Sequence, residues 1–63
     1  MTAILYALWR EKKAAEFYSQ AASKTKGEVK KFFEELSHFE EGHVKLIESF
    51  VEAEANSGEL IMG

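Results

Sequence analysis

A single interruption divides this sequence, and it limits the chain to very few folds. Proline is absent from the 63 residues, and glycine occurs only at 27, 42, 58 and 63. Ala, Glu, Lys, Leu and Phe dominate the rest, so long stretches favour helix with nothing to stop it. The break is Ser23-Lys24-Thr25-Lys26-Gly27-Glu28. Thr25-x-x-Glu28 has the pattern of a capping box that opens a new helix, while Gly27 offers the alternative of closing the preceding one. A second set of breakers, Asn56-Ser57-Gly58, stands near the end. These signals predict one helix over about 2–23, a turn over about 24–27, a second helix over about 27–56, and a tail, 57–63, carrying the apolar triplet Leu60-Ile61-Met62. So short a connection makes the helices antiparallel neighbours. The expected fold class is all-α, an antiparallel two-helix hairpin, with residues 1–63 as a single domain.

A chain this short rarely buries enough apolar surface to hold itself folded, and needs a disulfide, a metal or a partner. Cysteine is absent, which removes disulfides, zinc–thiolate sites and iron–sulfur clusters. A metal held by His and carboxylates, or association with another chain, remains. No apolar run is long enough to span a bilayer, and no stretch has the charged-then-apolar order of a signal peptide. The expected location is therefore the cytoplasm, or a protein compartment filled from it. The net charge of −3, with scattered basic residues, argues against nucleic acid and anionic membranes as partners.

Each predicted helix carries an apolar seam. Steps of four and three give Ile4, Leu8, Glu11, Ala15, Tyr18 and Ala22 in the first, and Val29, Phe33, Leu36, Glu40, His43, Ile47 and Phe50 in the second. Leu5, Ala14, Phe17 and Ala21 widen the first stripe; Phe32, Phe39 and Leu46 widen the second. Stripes this broad suit a bundle helix rather than a two-stranded coil. A lone hairpin would leave them exposed, so a homodimer or a higher homo-oligomer is expected, with Trp9 and Leu5 available to extend the contact. The opposite faces are charged, with helix-surface pairs expected at Lys31–Glu35 and Glu41–Lys45. The tail triplet offers a further contact, with the partner subunit or a compartment shell.

Glu11, Glu40 and His43 interrupt these seams. An unpaired carboxylate in a core costs several kcal/mol, roughly, unless it finds a partner or a proton, and neither seam holds Lys or Arg. A metal ion is the natural partner for two carboxylates and an imidazole. The spacing agrees. Glu40 and His43 are three apart, one turn along a single helix face. Glu11 lies fifteen residues before the turn centre near residue 26, and the Glu40–His43 pair about fifteen after it. At about 1.5 Å per residue all three sit at one height, roughly 22 Å from the turn. Such ligands suit iron or manganese, and zinc accepts them too. A Glu-x-x-His pair by itself is common on helices; the seam placement and the matched Glu11 are what single this one out. Tyr18, two turns along from Glu11, reads either as a core ring or as a catalytic, redox-active group. His38 falls on the outer side and reads as an ordinary surface residue.

These residues carry a family resemblance. Glu11-Lys-Lys-Ala-Ala-Glu-Phe17-Tyr18 resembles the first-helix signature of rubrerythrin-like members of the ferritin-like superfamily. Val29-Lys-Lys-Phe-Phe-Glu-Glu-Leu36-Ser-His-Phe-Glu40-Glu-Gly-His43 resembles their second helix. The likeness spans about residues 4–50. It implies Glu11 as a first-helix ligand, Glu40 as a bridging carboxylate and His43 as a terminal ligand. Members of that superfamily hold two irons or manganese ions with one Glu from each of two helices and Glu-x-x-His from each of two others. Here one chain carries half that inventory, so the resemblance implies a hairpin that dimerises into a four-helix bundle, with a di-iron site shared between two chains, similar to encapsulated ferritins. Ala14 stands where rubrerythrins carry an additional carboxylate. The implied activity is ferroxidase-type oxidation of Fe(II), the alternatives being peroxide reduction at the same site or a non-catalytic association module.

Overall fold

The computed structural model describes residues 2–57. It is a two-helix hairpin, as the single interruption requires: α1, Ala3–Ser23, and α2, Gly27–Ser57. Thr2 opens α1 with an extended backbone and a hydroxyl that accepts from the Leu5 amide at 3.4 Å, satisfying one amide of the first turn.

The turn is built differently from the capping box expected there. The Thr25 hydroxyl points back and donates to the Ala21 and Ala22 carbonyls at 3.0 and 3.3 Å, so it closes α1 rather than opening α2. The Lys24 and Thr25 amides take up the Ala21 and Ala22 carbonyls as well. The last carbonyls of α1 need donors just as the first amides of α2 need acceptors, and a hydroxyl serves either. Gly27 then carries the chain into α2 at φ +64°, a left-handed backbone conformation that residues with a side chain rarely adopt, and the Lys26 carbonyl accepts from the Lys30 amide at 3.4 Å.

The seam of α1 meets α2 as expected. Ile4, Leu8, Glu11, Ala15 and Tyr18 are half-buried and Ala22 is buried. In α2 Phe33, Leu36, Glu40, His43 and Ile47 are half-buried as expected, and buried Ser37 with half-buried Val44 and Val51 join them. Val29 and Phe50, expected in the seam, are exposed, as are Phe32, Phe39 and Leu46. A stripe this wide holds two adjacent four-three seams. One, Phe33, Ser37, Glu40, Val44, Ile47 and Val51, packs on α1; the other, Val29, Phe32, Leu36, Phe39, His43, Leu46 and Phe50, runs along the edge of that contact, with Leu36 and His43 half-buried and the rest exposed.

Only two described residues are buried, Ala22 and Ser37. Both are small, and the Ser37 hydroxyl donates to the Ala15 carbonyl at 3.3 Å across the helix pair. On the charged faces Lys13 pairs with Glu16 within α1, and Lys12 reaches Glu48 across the hairpin at 3.6 Å. Among the described residues, the expected Lys31–Glu35 and Glu41–Lys45 pairs do not close within 4 Å; Glu41 turns instead to Ser37 and His38. Among these residues no helix is long and apolar enough to cross a membrane. The expectation for the tail triplet, Leu60 to Met62, lies outside the described residues.

Candidate metal centre

The two helices bring Glu11, Glu40 and His43 together. One ligand atom from each lies within 4.8 Å of the others. His43 Nδ1 is 3.4 Å from Glu11 Oε2 and 3.8 Å from Glu40 Oε2. Glu11 comes from the middle of α1, and Glu40 and His43 come from one turn of α2, so the equal heights counted from the turn are met in space. All three are half-buried, and the Glu40 side chain is the most enclosed at 17% exposed against 43% for His43.

The two carboxyls interact strongly. Hydrogen bonding with Glu40 holds Glu11 below its ordinary value, against the upward push of burial, with His43 and the Arg10 charge adding to the lowering. Glu40 is pushed above its ordinary value by its hydrogen bonding with Glu11, by burial and by the Glu11 charge, with His43 opposing. Two carboxylates in one half-enclosed site cannot both ionise freely, so the proton stays longest on the more enclosed one. A divalent cation relieves this conflict by replacing that proton.

The donor set fits such an ion. Two carboxylates supply charge and hard oxygen, and an imidazole supplies nitrogen, the mixture that iron, manganese and zinc accept. Among the described residues, none of the three side chains is tied into an ion pair with Lys or Arg. Three ligands leave coordination positions unfilled, and the site is open on one side. A cleft of about 350 Å³ lined by Ala7, Arg10, Glu11, Ala14 and Glu40 runs to its edge. Ala7 and Ala14 leave this space because they are small.

The other residues singled out in the sequence are placed apart from the cluster. Tyr18 lies between rings, 5.5 Å edge-on to Phe17 and 6.3 Å from Phe33 between centroids, seven residues or about 10 Å along the helix from Glu11. His38 is exposed beside Glu41 at 3.9 Å. Trp9 is half-exposed and stacks on Tyr6 at 6.0 Å, with the Arg10 guanidinium 6.0 Å from the Tyr6 ring.

Two residues near the site escaped the sequence reading. Ser37, buried one turn before Glu40, ties α2 to the Ala15 carbonyl and also reaches Glu41 at 3.4 Å. Its signal was available, since it stands four after Phe33 and three before Glu40, but a serine does not announce itself as a seam residue. Arg10 sits at the cleft beside Glu11, and nothing in its spacing set it apart from the surface charges. No protein-family model, no curated protein and no solved structure matches this chain.

Proposed function

We propose that this chain is an iron-binding protein in which Glu11, Glu40 and His43 form one half of a two-metal carboxylate centre, and that a second copy of the chain supplies the other half. The observation that carries the reading is the convergence of two carboxylates and an imidazole within 4.8 Å at the middle of the hairpin. The exposed seam of α2 supports the second copy. His43 lies in that seam, between Phe39 and Leu46, so a copy packing there would meet the ligand cluster at its open side. Two hairpins then provide four carboxylates and two imidazoles, the ligand inventory of ferritin-like bundles.

Fe(II) is the substrate in this reading. It loses one electron to become Fe(III), with dioxygen or peroxide accepting the electrons. The protein supplies the rest. Glu40, the most enclosed of the three, would give up its proton to a bound cation. His43 and Glu11 cap the cluster from either helix. Arg10 holds positive charge at the cleft, which favours Glu11 in its ionised, metal-ready form.

Anaerobic titration with Fe(II), followed by exposure to dioxygen or peroxide, tests this. One iron per chain and oxidation on admitting oxidant are expected. Glu40→Ala and His43→Ala are expected to lose both, because each removes two ligands from a paired site, while His38→Ala keeps both. Equal iron binding by the parent and by Glu40→Ala would remove the central claim.

A further inference from the structure

Ligand geometry depends on which way an imidazole ring is turned, and a helix backbone does not set that angle. The torsion that turns a histidine ring is broad and shallow. The His43 side chain is 43% exposed, and its Nδ1 contact with Glu11, at 3.4 Å, is long for a hydrogen bond. One firm neighbour remains. The Phe39 ring lies four residues earlier on the same helix, one turn away, with centroids 4.4 Å apart and planes at 62°. That is the tilted edge-to-face contact favoured between aromatic rings.

Phe39 is 60% exposed, and among the described residues its ring partner is His43. Phe32 and Leu46 share its seam at intervals of seven. Phe32, however, meets Phe33, whose ring packs toward Tyr18, and touches no ligand. We infer that Phe39 is a positioning residue for His43. Its ring sets the imidazole plane so that Nδ1 faces Glu11 and Glu40, and thereby ties the open seam to the ligand cluster. This rests on the metal-binding reading above for its consequence, but the ring contact exists with or without a metal.

The experiment compares the 63-residue parent with Phe39→Leu, Phe39→Tyr and Phe32→Leu. Leucine keeps an apolar side chain in the seam and removes the ring. Affinity for Co(II) and its visible absorption spectrum are measured, together with the His43 ring proton shifts in the metal-free protein, assigned with the help of His38→Ala. Phe39→Leu is expected to bind Co(II) about tenfold more weakly, the lower end for loss of a group that orients a ligand, with a changed spectrum. Phe39→Tyr restores both, and Phe32→Leu leaves both at parent values. In the metal-free protein, Phe39→Leu alone shifts the His43 ring protons by removing the ring current. Equal affinity and spectrum in Phe39→Leu and the parent would overturn the inference, as would an equal loss in Phe32→Leu. Should the parent bind no Co(II), the metal reading falls by itself and the ring protons decide. A shift confined to Phe39→Leu upholds the positioning contact, and no shift overturns it.

Discussion

Glu11 and Glu40 show how one site assigns opposite fates to two identical groups. Glu40 has its pKa raised on folding, so its contribution to stability is present in acid and is lost as pH rises through the folded value. Glu11, lowered, contributes above its unfolded value and loses that contribution as pH falls through the folded one. At neutral pH the metal-free protein therefore carries the cost of ionising Glu40 beside Glu11. Replacing it with the neutral isostere removes that cost. In chelator at pH 7, Glu40→Gln is expected to melt above the parent, with the gap closing as pH falls into the ordinary carboxylate range. Adding Fe(II) without oxygen should reverse the order, since only the parent gains a bound ion by linkage. Melting curves at several pH values, with and without metal, check both signs. A Glu40→Gln protein less stable than the parent at pH 7 in chelator would mean that the two carboxyls do not compete.

At the scale of the helices, two glycines predict opposite outcomes. Gly42 lies inside α2 next to a ligand, yet a β-carbon there meets nothing within 4 Å. Gly42→Ala is expected to stabilise the protein by about 1 kcal/mol through helix propensity alone, with iron binding unchanged. Gly27 also has open space, but its φ of +64° penalises any side chain, so Gly27→Ala is expected to cost roughly 1 kcal/mol. Chemical denaturation of the two variants reads both. The helices themselves were legible in the sequence because their breakers are few and local. The direction of the Thr25 hydroxyl was not, because its local pattern fits the start of one helix and its contacts belong to the end of the other. The α2 seam was partly legible. Phe33, Leu36, Glu40, His43 and Ile47 follow from periodicity alone, and only contact with α1 shows that Ser37 and Val44 turn inward while Val29 and Phe50 stay exposed.

Among the described residues the hairpin has little interior, since the two buried ones are an alanine and a serine. Val29, Phe32, Phe39, Leu46 and Phe50 are each more than half exposed along one seam, and such a row of large apolar groups is an interaction surface by the usual standard for soluble domains. Sedimentation is expected to show a dimer or larger assembly at micromolar concentration. Leu46→Glu, which puts a charge in the seam without touching a ligand, should shift it toward monomer and lower the melting temperature. A stable, folded monomer for the parent would refute the shared centre. The sequence by itself determined that there are two antiparallel helices and that Glu11, Glu40 and His43 stand at one height, because breakers and helical rise act locally and count along the chain. Which side of a broad apolar stripe packs inward, and so that His43 stands at the edge between α1 and the open seam, was decided only by the tertiary structure. Periodicity orders residues around a helix, but the angle at which that order meets its neighbour depends on the side chains of both helices together.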